Sequence, residues 1–221
     1  RKTSFFTMGV DFADINRDGF DDFMLVDMLS PTHELHMTQR SSGAFPVIRP
    51  GDVKSHDAVR RNTLFLNRGD ATFAEIANLA GVAATDWTWE AIFVDVDLDG
   101  YEDMLITNGF ERNFDDQDSD DRIAAMGKLS IGESRRTMFT MPRLQTPNVA
   151  FRNNRDLTFS RVSEEWGFAS EAISNGMALA DLDNDGDTDI AVVNNLATNG
   201  GSEDISLFYN DGTGKFSGPM H

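Results

Sequence analysis

The sequence has no cysteine in its 221 residues. That excludes a disulfide framework, a thiolate zinc site and a cysteine nucleophile, and it leaves the redox compartment open. No apolar run approaches the ~18 residues that a membrane helix requires, so no bilayer insertion is expected. No basic start followed by an apolar stretch opens the chain at Arg1, so any secretion signal would lie upstream or have been removed. Basic side chains are scarce: 19 Lys and Arg stand against 37 Asp and Glu, a formal net charge of −18. Such a surface repels phosphate backbones and anionic lipid, which removes nucleic acid and membrane surfaces from the candidate partners. The rest is globular in character. A composition that is 40% hydrophobic and 10% aromatic supplies a core, and the length suits one ordinary domain or part of a larger one.

The acid is concentrated rather than spread. Aspartate accounts for 27 of the acidic residues, and three stretches share the pattern D-x-[DN]-x-D-G-x-x-D. The first holds Asp14, Asn16, Asp18, Gly19, Phe20 and Asp22; the second Asp95, Asp97, Asp99, Gly100, Tyr101 and Asp103; the third Asp181, Asp183, Asp185, Gly186, Asp187 and Asp189. A solvated charge run needs no such spacing, and the separate cluster from Asp115 to Asp121 reads as one. Calcium does need it. The ion takes about six to eight oxygens at roughly 2.3–2.6 Å in a flexible shell. A chain curling around it turns positions 1, 3 and 5 inward, and glycine at position 6 allows the turn that brings in the carbonyl of position 7. Position 9 then closes the shell. Magnesium prefers a tighter octahedron that keeps several waters, so three calcium sites are expected, binding equivalently.

These stretches are not EF-hands. Position 12 is Leu25, Ile106 or Val192 where an EF-hand has its bidentate glutamate. The residues after position 9 are short apolar runs rich in strand formers, so each loop enters a buried strand.

The loops belong to an internal repeat. Residues 62–109 and 148–195 align without a gap at a constant offset of 86, matching Asn62 with Asn148, Asn67 with Asn153, Phe73 with Phe159 and Gly81 with Gly167. A further copy begins with Leu207 to Asn210, and the N-terminus supplies the back half of an earlier one. Each unit reads as strand, turn, strand, a glycine-marked connection, a strand into the acidic loop and an exit strand. Four short strands per unit predict an all-β chain, a β-propeller segment of four-stranded blades. The expected divisions are the back half of a blade over 1–30, an insertion over 31–61, a blade over 62–109, an insertion over 110–147, a blade over 148–196 and the start of another over 197–221. The distance from the first loop aspartate to the next unit's asparagine is 29 residues at the third loop but 53 and 58 at the others, which defines the two irregular insertions. Ser130–Met141 within the second is a candidate short helix. Insertions on a repeat scaffold fall on one face and often carry binding.

With these residues in place, the blade pattern resembles the FG-GAP/VCBS repeats of integrin-α-type propellers. More narrowly, Met8–Asp27, Arg61–Asn67, Ala80–Trp89 and the loop at Asp95 resemble the ASPIC/UnbV-type secreted and surface proteins. The resemblance covers about two thirds of the chain. It implies a calcium-binding propeller in an extracellular, cell-surface or periplasmic setting, used for adhesion or recognition of a protein or glycan. Propellers close with about four to eight blades, so a continuing chain or a partner subunit is expected to complete the ring.

Other motifs carry less. Arg68-Gly69-Asp70 stands where sister units have hairpin turns, so turn chemistry accounts for it. Gly212 to Lys215 lacks the spacing of a phosphate loop, and His33 and His36 are three apart, not the four of a zinc protease helix. His56 has no evident partner. Trp87 and Trp89 read as packing residues rather than a sugar platform. No Ser/His/Asp set is interpretable, so no catalytic residue is assigned and the chain is expected not to be an enzyme. The alternative is a calcium-dependent polysaccharide lyase or hydrolase on the same scaffold, which a basic residue in a cleft beside a calcium loop would favour.

Overall fold

The computed structural model describes residues 2–38, 57–144, 146–195 and 204–220. Pro46, Pro50, His56, most of the first insertion and residues 196–203, where the last unit is expected to begin, lie outside the described residues. The chain is mostly β. Strands β1 (Lys2–Ser4), β2 (Val10–Ala13), β3 (Asp22–Leu25) and β4 (Met28–Leu29) precede a one-and-a-half-turn helix α1 (His33–Thr38). Next come β5 (Asp57–Val59), β6 (Thr63–Asn67), β7 (Phe73–Glu75), the short helix α2 (Ala77–Ala80), β8 (Asp86–Val94) and β9 (Asp103–Asn108). Helices α3 (Gln117–Ala125) and α4 (Ile131–Met138) follow. The remainder is β10 (Val149–Asn153), β11 (Phe159–Arg161), β12 (Ser174–Ala180), β13 (Asp189–Asn194), β14 (Asp204–Asn210) and β15 (Phe216–Met220).

Three antiparallel sheets result, in the orders β2-β3-β6-β7, β8-β9-β10-β11 and β12-β13-β14-β15. β4 extends the second sheet by pairing with β8, and β1 and β5 form a separate parallel pair. An acidic loop joins the first two strands of every sheet, and a tight hairpin joins the last two. The sheets are out of phase with the sequence repeat: residues 62–109 contribute β6 and β7 to one sheet but β8 and β9 to the next. The exit strand of each loop hydrogen-bonds to the strand opening the following sequence unit, as β9 does to β10. The N-terminal and C-terminal half units thereby belong to complete four-stranded sheets.

Period-two alternation builds two cores from one middle sheet. Met104 and Ile106 of β9 join Met24, Val26 and Leu64 of the first sheet, while Leu105 between them joins Ile190, Val192 and Phe208 of the third. All six residues of β9 are therefore buried. β8 lies between β2 and β12, and backbone-to-carboxylate bonds cross both seams. The Phe93 N–H donates to Asp11 at 2.7 Å and the Met177 N–H to Glu90 at 2.5 Å.

The second insertion differs from expectation at its acidic run. Asp115–Asp121, read as a solvated loop, instead starts a helix. Asp116 caps α3 by accepting from the Ser119 N–H at 3.0 Å, and Asp118 and Asp120 occupy the first turn, where the helix dipole favours them. Asp115 pairs with Arg60, fastening the end of one insertion to the other. Ser130 closes a capping box with Glu133 at the start of α4. Trp87 and Trp89 serve packing: Phe110 lies 4.4 Å and 5.8 Å from their rings, and the Trp89 indole N–H donates to the Gly109 carbonyl at 2.7 Å.

Candidate metal centre

Each acidic loop leaves one strand and enters the next, and all three have the same backbone course. Position 4 (Arg17, Leu98, Asn184) is left-handed at φ 61°, 54° and 63°, and the position-6 glycines follow at φ 89°, 88° and 98°. A side chain at position 6 would be strained in that conformation, which explains the fixed glycine.

The carboxylates organise the curl. At position 1, Asp14 accepts from the N–H groups of Asp18 and Gly19 at 2.9 and 2.7 Å, and Asp95 accepts from Asp99 and Gly100 at 2.9 and 2.8 Å. Asp181 accepts from Gly186 at 3.2 Å. At position 5, Asp18, Asp99 and Asp185 each accept the N–H of position 7, from Phe20, Tyr101 and Asp187. At position 3, Asn16 and Asp183 accept from position 5, whereas Asp97 is bound by Arg152.

Position 9 has a second task that the motif alone does not disclose. Asp22, Asp103 and Asp189 are fully buried. One oxygen of each accepts the N–H of position 2 in its own loop (Ile15, Val96, Leu182) at 2.7–3.1 Å. The other accepts the N–H of the asparagine ending the third strand of the sheet (Asn67, Asn153, Asn210) at 2.7–2.9 Å. Burial pushes the Asp103 carboxyl up to about 7 against these two hydrogen bonds, and Asp22 is raised for the same reason. In the sequence these asparagines stand out only as repeat markers. Two of their side chains clamp successive loops: Asn153 donates to the Ile15 carbonyl and Asn210 to the Val96 carbonyl, both at 2.9 Å.

One carboxylate oxygen each of Asp95, Asp97 and Asp99 lie within 4.8 Å of one another, as do one each of Asp181, Asp183 and Asp189. Among the described residues these are the acidic groups close enough to hold one ion, and no histidine joins them. In the first loop Asn16 replaces one carboxylate and donates to Asp18 at 3.0 Å. Calcium suits the donor set, which is all hard oxygen. Asp97 Oδ1 is buried without a hydrogen-bond partner, and loss of solvent with neighbouring carboxylates raises Asp183 and Asp187. A divalent cation would relieve both conditions.

The loops differ in surroundings. The third is largely exposed, while the middle one is half-buried between its neighbours. Arg152 Nε lies 3.1 Å from Asp97 Oδ2, and Arg155 Nη2 lies 2.6 Å from Asp99 Oδ2. Cavities of about 310 and 300 Å³ open elsewhere, one at Arg112, Phe114, Arg135 and Phe139 in the second insertion and one at Arg161–Glu165. Asp70 of the Arg-Gly-Asp tripeptide accepts from both the N–H and hydroxyl of Thr72, as Asp156 does from Thr158. That is hairpin chemistry in both units. The chain matches no protein-family model and no curated protein.

Proposed function

We propose that this chain is a calcium-binding segment of a β-propeller of the FG-GAP/VCBS type, serving adhesion or recognition in a secreted, surface or periplasmic protein. The observation that carries this reading is the threefold recurrence of one oxygen-lined loop, each at the same junction of a four-stranded sheet and clamped by the same Asp–Asn pair. Asp14, Asn16, Asp18 and Asp22, then Asp95, Asp97, Asp99 and Asp103, then Asp181, Asp183, Asp185 and Asp189 would ligate through side chains, with the carbonyls of Phe20, Tyr101 and Asp187. Successive sheets packed through β2, β8 and β12 support the blade arrangement. The outer faces of the end sheets carry exposed Val10 and Phe12 on one side and Val193 on the other. Further blades, from a continuing chain or a partner subunit, would cover them. The second insertion, with exposed Ile131, Met138 and Phe139, is the surface offered to a protein or glycan.

The lyase or hydrolase alternative calls for a basic group free to act beside a loop. Arg152 and Arg155 stand there, but both are engaged by loop carboxylates. A binding role therefore accounts for them better. Calorimetry on the metal-free chain tests the reading: three calcium sites are expected, with one lost in D97A and one in D183A. A stoichiometry unchanged by these substitutions would sink it.

A further inference from the structure

Each hairpin following an acidic loop lies against that loop's position 7. In the first sheet Phe20 covers Gly69, where an added Cβ would sit 2.8 Å from its ring. In the third, a Cβ on Gly212 would come within 2.5 Å of the Asp187 carboxylate. The middle sheet has Arg155 at this place, held at φ 64° and stacked 5.1 Å from the Tyr101 ring. Its guanidinium reaches Asp99 Oδ2 twice, at 2.6 and 3.2 Å. Arg152, equivalent to Leu66 and Tyr209 in the sister sheets, reaches Asp97 and lies 5.2 Å from the Trp166 ring. The ring contacts and the ion pairs together fix both guanidinium groups over the middle loop.

We infer that Arg152 and Arg155 are resident counterions of the middle loop, which hold its carboxylates in the ligand arrangement without metal and make it the weakest of three unequal calcium sites. This rests on the calcium reading of the loops given above, and it replaces the equivalence that the shared motif predicts. One carboxylate oxygen of the loop stays unclaimed by hydrogen bonding, Asp97 Oδ1, which is buried. An arriving ion nevertheless meets two guanidinium groups paired with ligand carboxylates, and among the described residues no ion pair reaches a ligand carboxylate of the outer loops. A unit charge about 6 Å from a divalent ion repels it by about 1.4 kcal/mol even at the dielectric constant of water, a factor of about ten in affinity. The middle loop then fills at calcium concentrations where the outer loops are already saturated, so one chain responds to the ion in two stages.

Terbium luminescence reports the middle site through the part of the signal that Y101F removes, since Tyr101 is the tyrosine inside that loop and Y101F keeps the position-7 carbonyl; Y209F removes any part that comes from the third loop. Calcium competition against this signal gives the middle-loop affinity, and calorimetry gives the other two. The full chain should show the middle site at least about tenfold weaker than the outer ones. R155G installs the residue both sister sheets carry at an exposed, left-handed position, so folding is preserved. It should tighten the middle site by about tenfold and R152L/R155G by about a hundredfold, with the outer sites unmoved, while R155K keeps the original value. An unchanged or weakened middle site in R155G, with calcium still bound, overturns the counterion role and leaves the calcium reading standing. Failure of calcium to bind at any loop overturns both.

Discussion

Asn153 reaches two carbonyls with one amide: Ile15 in the preceding sheet's loop at 2.9 Å and Glu102 in its own at 3.1 Å. Its oxygen accepts the Arg155 N–H at 2.8 Å, and the side chain is 3% exposed. Asn67 holds the equivalent position on the first sheet, is half-exposed, and donates to the Asp21 carbonyl. Replacing Asn153 by alanine leaves the buried Ile15 carbonyl unpaired, at about 1–3 kcal/mol, and the part-buried Glu102 carbonyl at about 1, so a loss of about 2–4 kcal/mol is expected, against about 1 for N67A. Urea unfolding of the two variants measures this, and equal losses would show that the amide does not lock successive loops. The recurrence of Asn67, Asn153 and Asn210 is plain in the sequence. Their partner in the neighbouring loop is not, because Ile15 lies 138 residues from Asn153 and offers only a backbone oxygen.

At the scale of elements, α3 buries only Ser119 and α4 buries no residue. The insertion is held instead at its ends, by Phe110 under the tryptophans with Phe114 edge-on against it, and by buried Met141 and Leu144. Replacing 116–139 by a short linker should leave cooperative unfolding and the sheet circular-dichroism signal intact while removing partner binding. Loss of cooperativity would make the helices part of the fold. Strands were legible because alternation and turn residues mark them locally. The sheet grouping was not, since a repeat can be cut at any point and only hydrogen bonding, as between β9 and β10, chooses the phase. The Asp115–Asp121 helix start is hidden by its charge, although an aspartate followed by further acidic residues over the next turn, Asp116 then Asp118 and Asp120, is itself a helix-start signal.

Over the whole molecule the dominant fact is the net charge of −18, with eleven carboxylates at the side-chain ligand positions of three loops. Carboxylates a few ångströms apart repel by about 1–4 kcal/mol per pair between the dielectric limits of water and protein surface. Three calcium ions would offset six of those excess charges where they crowd most. By mass action, free calcium at about 100 times a site's dissociation constant adds roughly 2.7 kcal/mol per site, against a total stability of about 5–15 kcal/mol for an ordinary domain. Thermal unfolding in chelator, calcium and magnesium at matched ionic strength is therefore the most direct test. Chelation should lower the melting temperature by about ten degrees or more, and millimolar calcium should restore it where magnesium does not. A melting curve indifferent to chelator would contradict the account at its centre.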